Sequence, residues 1–91
     1  MNNSYLIKRD KEDLRIDQES IIQASHELNG GAYKLYIYLY LFGGTEIEFS
    51  TKRYIQDCGG GDASARRAIK ELMDHNFLQQ KDGFLSFCPS K

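Results

Sequence analysis

The second half of the chain carries helical patterns on either side of a glycine turn. The apolar stripe of a short first helix is formed by Tyr54, Ile55 and Cys58. Ser50, just before it, has the side chain of a helix N-cap. Glycines 59–61 end this helix because glycine has low helix propensity and accepts positive φ. The pattern therefore predicts a helix over residues 51–58 that stops at a turn.

A second helix is predicted after the glycines, over residues 62–76, with Asp62 as a residue that can cap its first turn. Its buried face recurs every three or four positions and consists of Ala65, Ala68, Ile69, Leu72 and Met73. Its other face is short-chained at the start and basic after it, and consists of Ala63, Ser64, Arg66, Arg67 and Lys70.

Two short apolar runs come next, at residues 77–80 and 84–87, with Asp82 and Gly83 between them. An Asp-Gly pair favours a tight turn, so the pattern predicts an antiparallel hairpin over residues 77–87. Residues 46–49 alternate between polar and apolar, as an edge strand does. We expect this strand to join the hairpin in a small three-stranded antiparallel sheet.

The first half of the chain is less regular. Residues 5–7 are compatible with a short strand, and the apolar positions between 14 and 28 fit either a short strand or one or two helical turns. Asn29 or Gly30 can cap a helix that begins at this point. Residues 32–42 are long enough for a helix and aromatic enough for a buried strand, and periodicity does not separate the two. As a helix, the inner face consists of Ala32, Leu35, Tyr36, Leu39 and Phe42.

The outward residues of this segment have two interpretations. Tyr33, Tyr38 and Leu41 remain partly outward when residues 32–42 are helical. Tyrosine at such positions either packs its ring on the core with its hydroxyl in water or forms a subunit or partner interface. A homodimer is therefore one of the expectations for this chain.

The run STKRYIQDCGGGDASARRAIKELMDHNFLQQKDGFLSF resembles the winged-helix domains of bacterial, phage and plasmid regulators and replication initiators. GAYKLYIYLYLF resembles the first helix of the amino-terminal domains of plasmid and phage replication proteins. Together the two runs cover 50 of the 91 residues, and ARRAIKEL is the most specific part. Such domains usually have one glycine, an aliphatic residue and then Ser or Thr where this chain has Cys-Gly-Gly-Gly-Asp.

The resemblance implies one α+β domain, a winged helix-turn-helix with a three-helix core and a small antiparallel sheet. The implied parts of this single domain, residues 1–91, are an amino-terminal extension (1–28), a first helix (32–42), a second helix (51–58), a recognition helix (62–76) and a wing (77–87).

Composition and charge refine this expectation. The 91 residues are 41% hydrophobic and 27% charged with one proline, as in a folded single domain. The net charge of −1 hides an asymmetry: residues 1–48 hold five basic and eight acidic side chains, and residues 49–91 hold seven basic and five acidic ones. The amino terminus has no signal pattern, and the longest apolar run, residues 35–42, is far shorter than the ~20 residues that span a bilayer. We expect a cytoplasmic protein without membrane contact.

No pattern of catalytic or cofactor chemistry is present in the sequence. His26 and His75 fall on different expected elements without ligand spacing to a cysteine, and Cys58 and Cys88 are expected to be free thiols. The glycine turn could bind an anion but lacks the lysine and the spacing of a phosphate-binding loop. We expect neither an enzyme nor a bound cofactor or metal.

Two function classes remain. In the first, the recognition helix enters the major groove of double-stranded DNA, in transcription regulation or replication initiation of a phage, plasmid or other mobile element. The residues expected to contact DNA are Ala63, Ser64, Arg66, Arg67 and Lys70 on this helix and, at backbone phosphates, Lys52, Arg53 and Lys81. In the second, the fold binds a protein, as a small phage-type inhibitor or adaptor, and Arg66, Arg67 and Lys70 are again the first candidates for the contact. Without either function, these basic residues would form local ion pairs with Glu71 and Asp74 on a solvated helix face.

Overall fold

The computed structural model describes residues 4–11, 15–42 and 44–90. Within these residues the chain forms four helices and a mixed four-stranded sheet, so the α+β class is as predicted. In chain order the elements are β1 (Ser4–Lys8), α1 (Gln18–Glu27), α2 (Gly30–Leu41), β2 (Glu46–Ser50), α3 (Thr51–Cys58), α4 (Asp62–Asp74), β3 (Leu78–Lys81) and β4 (Phe84–Phe87).

The sheet corrects the expectation of three antiparallel strands. Its strand order is β2-β1-β4-β3, with β1 antiparallel to β2 and parallel to β4. The predicted pairing of residues 46–49 with the hairpin is wrong because β1 lies between them. This position lets Ile7 of β1 bury its side chain with those of Ile47 and Leu85, the residues opposite it on β2 and β4. Parallel pairing of distant segments has no turn sequence of its own, and so no local signal.

The hairpin itself is as predicted. β3 and β4 pair antiparallel from Leu78 opposite Phe87 to Lys81 opposite Phe84, and Gly83 takes a positive φ of 80° in the turn. Phe77, just before β3, and Phe87, at the end of β4, are both buried.

Both segments of the first half for which the pattern allowed either a helix or a strand contain helices. Residues 18–27 form a helix, so α1 adds a fourth helix to the expected core of three. Asn29 caps α2, with its Oδ1 accepting a hydrogen bond from the N–H of Ala32 at 2.9 Å. Four of the five residues expected on the inner face of α2 are buried: Ala32, Leu35, Tyr36 and Leu39. Phe42 is 37% exposed because α2 ends at Leu41 and Phe42 continues in extended backbone.

The helices of the second half begin close to the predicted positions. Ser50 caps α3, as expected, by accepting from the N–H of Arg53. The expected cap by Asp62 is wrong: Gly61 is the N-cap of α4 and Asp62 is already its first helical residue, so its carboxylate does not cap the helix. As an acidic residue in the first turn, Asp62 still interacts favourably with the positive end of the helix dipole. The helix ends at Asp74, and Asn76 has a left-handed φ of 66°.

A buried arginine joins the first strand to the second helix. Arg9 is 7% exposed, and its guanidinium donates to carbonyl oxygens at the carboxyl end of α2. The acceptors are Gly44 (3.0 Å), Leu39 (3.1 Å), Tyr40 (2.9 Å) and Phe42. A cation at this end of a helix interacts favourably with the helix dipole. Arg9 therefore fixes the sheet against the carboxyl end of α2.

Candidate nucleic-acid interface

The α3–α4 pair is connected by a turn that needs glycine. Gly59 and Gly60 have φ values of 81° and 92°, a region in which other residues are strained. The N–H of Gly59 bonds to the carbonyl of Ile55, and Lys34 of α2 donates from Nζ to the carbonyl of Cys58 at 2.7 Å. The carboxyl end of α3 is thus held against α2, and α4 starts from a defined position.

The face of α4 that the sequence marked as basic is exposed. Ala65, Ala68, Ile69 and Leu72 are buried, whereas each of the residues predicted to contact DNA is exposed: Ala63, Ser64, Arg66, Arg67 and Lys70. By helical spacing, Ala63, Arg67 and Lys70 lie along the middle of the free face, and Arg66 lies at its edge. The side chain of Arg67 donates to the hydroxyl of Ser64, one turn earlier, at 3.4 Å.

Within the described residues, no carboxylate forms an ion pair with the basic side chains of this face. The ion pairs among the described residues are Lys8–Glu46, Arg53–Asp57 and His75–Glu27. None of them involves Arg66, Arg67 or Lys70. Glu71, a candidate partner for Arg67, instead accepts hydrogen bonds from Asn29.

The predicted phosphate contacts outside α4 differ in their surroundings. Lys52 and Arg53 are exposed in the first turn of α3, but Nε of Arg53 lies 3.9 Å from the Asp57 carboxylate. Because Asp57 is one turn further along α3, this pair resembles an ordinary exposed i,i+4 ion pair of small net energy. Among the described residues, no carboxylate forms an ion pair with Lys52.

The structure brings a second lysine to the hairpin. Lys81 ends β3, and it shares a surface depression of about 480 Å³ with Lys8 of β1. The Lys8 ammonium lies 4.7 Å from the centre of the Phe84 ring and 3.7 Å from the Glu46 carboxylate. The sequence did not indicate Lys8, because only the parallel pairing of β1 with β4 places it here.

A cleft of about 580 Å³ separates the amino end of α2 from α4. Gly31 and Asn29 line it on the α2 side, and Ser64, Arg67 and Lys70 line it on the α4 side. Asn29 is part of the site, whereas the sequence indicated it solely as a possible helix cap. The residues of α4 that line the cleft could be predicted from helical spacing. The residues of α2 that line it could not, because their position depends on how the two helices pack.

An aromatic cluster lies on the side of α2 that faces α3. Tyr38 stacks on Phe42 and meets the ring of Tyr54 edge-on at 4.9 Å, and its hydroxyl donates to Asp57 at 3.1 Å. Burial, followed by this hydrogen bond, raises the pKa of Tyr38, and burial raises the pKa of Tyr54 to about 12. Both shifts favour the protonated hydroxyl, which is the ordinary state of tyrosine at neutral pH. Next to this cluster Leu41 is 65% exposed.

Comparison with protein-family models, with curated proteins and with solved structures returns no match to this chain. Across residues 4–11, 15–42 and 44–90, no helix has the length and apolar character needed to cross a bilayer. The same residues contain no group of three side chains suited to hold a metal ion. The function must therefore be inferred from the geometry of the chain itself.

Proposed function

We propose that the chain is a winged helix-turn-helix protein that binds double-stranded DNA. In this proposal α4 lies in the major groove, and the β3–β4 hairpin is the wing beside it. The biological role is transcription regulation or replication initiation in a phage, plasmid or other mobile element, as the sequence resemblance implies.

The observation that carries the proposal is the free basic face of α4. Small Ala63 and Ser64 precede Arg66, Arg67 and Lys70, and all five are exposed. Small residues at the start of a helix allow close approach to the groove, while arginine can donate two hydrogen bonds to guanine. A solvated face of no function would be expected to pair these cations with nearby carboxylates, and the described residues hold no such ion pair.

Contacts with the phosphate backbone of DNA complete the proposed interface. Lys52 and Arg53 at the start of α3 and Lys81 at the hairpin are exposed cations on either side of α4 in the sequence. Contacts of this kind fix the register of a protein on DNA without reading its sequence. Arg53 contributes less in this proposal because Asp57 already faces it.

The test is the salt dependence of duplex binding. Each phosphate that the protein neutralises should lower the logarithm of the binding constant by about 0.9 per tenfold rise in salt. We expect binding of random and mobile-element-derived duplexes at ~50 mM salt to weaken steeply by ~200 mM. The matched control replaces Arg66, Arg67 and Lys70 by glutamine, which keeps helix propensity and removes three charges. Absence of a complex with the parent at the lower salt would sink the proposal.

A protein-binding winged helix is the second candidate, and the apolar end of α2 favours it. Leu41 and Phe42 are both exposed there, beside the Tyr38 ring. The chain also has a net charge of −1, which gives little long-range attraction to DNA. Under this alternative, replacing Leu41 by serine abolishes capture of a stoichiometric protein partner, and the glutamine variant of α4 binds that partner normally.

A further inference from the structure

The geometry points to Asn29 as a positioning residue for the proposed DNA-binding face: it holds Glu71 on the α2 side of the cleft and so leaves Arg67 free for DNA. This inference rests on the proposed function. It assigns to Asn29 a role beyond capping its own helix.

Asn29 engages both oxygens of the Glu71 carboxylate. Its backbone N–H donates to Oε2 at 2.7 Å, and its side-chain amide donates to Oε1. The same side chain caps α2 through Oδ1, which accepts from the N–H of Ala32 at 2.9 Å. One residue therefore fixes the start of α2 and, across the cleft, the side chain of Glu71.

Glu71 is the natural competitor for Arg67. The two residues are four positions apart on α4, the spacing at which opposite charges pair on a helix surface. In the structure they form no ion pair, and the Arg67 guanidinium contacts the Ser64 hydroxyl instead. The other charged groups that line the cleft are Lys70, Asp74 and His75. Of the two carboxylates, Glu71 is the one within reach of Arg67 by this spacing.

The test begins with Asn29→Ser. Serine is as good an N-cap as asparagine and carries no charge, but it lacks the amide donor that holds Oε1. Once freed on that side, Glu71 can turn toward Arg67 and compete with DNA. We expect duplex affinity at ~50 mM salt to fall about two-fold, the equivalent of one i,i+4 ion pair. The melting temperature measures any separate effect on stability.

A double-mutant cycle distinguishes positioning from general damage. In the Glu71→Gln background there is no carboxylate to release, so Asn29→Ser should leave affinity unchanged. Asp74→Asn is the matched control, because it removes one negative charge from the same helix without touching the Asn29 contact. In that background Asn29→Ser should still weaken binding about two-fold. An equal loss in all backgrounds, or no loss in the parent, would overturn the inference.

A measurement on the free protein separates this inference from the proposed function. The side-chain amide resonances of Asn29 should shift in Glu71→Gln and stay in place in Asp74→Asn. If the parent binds no duplex, the proposed function fails and the role of Asn29 in DNA binding fails with it. The Asn29 inference alone fails if the parent binds with the expected salt dependence but one of two results follows. Either the losses of affinity from Asn29→Ser and Glu71→Gln are additive, or the amide resonances of Asn29 do not shift in Glu71→Gln.

Discussion

Arg67 and Lys81 illustrate two kinds of contact that a basic side chain can make with DNA. Arg67 lies in the middle of the exposed face of α4 and, in the proposed complex, would reach base edges, whereas Lys81 lies at the hairpin and would meet the phosphate backbone. Their replacement should therefore change different properties of binding.

We expect Arg67→Ala to cost about 1–3 kcal/mol on a preferred duplex and less on random sequence. Lys81→Ala should weaken all sequences alike and flatten the salt slope by about one phosphate. Binding isotherms with both duplexes at two salt concentrations measure this. Arg15→Ala is the control: it removes an exposed charge near Tyr40, at the far end of α2 from the cleft. Equal losses for Arg67 and Arg15 on every duplex would contradict the base-contact assignment.

The hydrogen bonds of Arg9 lead to a prediction about the stability of the fold. Its guanidinium serves four carbonyl oxygens at the end of α2, and leaving buried acceptors unpaired costs about 1–3 kcal/mol. We expect Arg9→Met, which keeps the apolar stem, to lower the free energy of unfolding by at least this amount in urea denaturation. Arg9→Lys keeps the charge but not the planar fork, and so should recover part of the loss. A variant with methionine as stable as the parent would show that water replaces the arginine.

Residues were predictable where helical spacing alone decides their position. The exposed set on α4 and the cap at Ser50 follow from local sequence, and the structure places them accordingly. Arg9 and, in its contact across the cleft, Asn29 have partners at least thirty positions away, at Leu39 and Glu71. No local pattern contains that information.

At the scale of elements, β1 has the largest effect on the architecture. It hydrogen-bonds to β2 on one side and to β4 on the other, so it joins the hairpin to the rest of the sheet. The sequence pattern allows a strand at residues 5–7 but does not distinguish residues 1–28 from an extension to the core. The outcome depends on long-range pairing, whereas helices and the hairpin depend on neighbours in sequence.

Two adjacent substitutions in β1 test this importance. Ile7 is 1% exposed and Leu6 is 36% exposed, because successive residues of a strand face opposite sides of the sheet. We expect Ile7→Asp to abolish cooperative thermal unfolding, since an unpaired buried carboxylate costs a large part of the ~5–15 kcal/mol that stabilises a domain. Leu6→Asp should melt only slightly below the parent temperature, because its carboxylate stays in water, although it lies opposite Glu48 of β2. Similar melting of both variants would mean that β1 does not hold the sheet together.

For the whole molecule, the net charge does not describe how the charged residues are distributed over the fold. The mean charge is close to zero, yet the basic face of α4 and the acidic residues Glu46 and Glu48 of β2 lie on different elements. The near-zero net charge gives little long-range attraction to a nucleic acid, so the proposed DNA contact rests on the local basic face of α4. The class α+β was predictable from element types alone, but the strand order was not, because it depends on the pairing of β1 with β4, which are far apart in the sequence.

The parallel ladder between β1 and β4 also bears on how the protein folds during synthesis. Ile7 and Leu85 pair although almost the whole chain lies between them. While a ribosome is still adding residues, α1 can pack on α2 and β1 can pair with β2, but β1 has no partner yet on its β4 side. The entropy of closing this large loop must be overcome late, so the sheet is completed after the helices. Until then the edge of β1 that faces β4 keeps its backbone N–H and C=O groups unpaired.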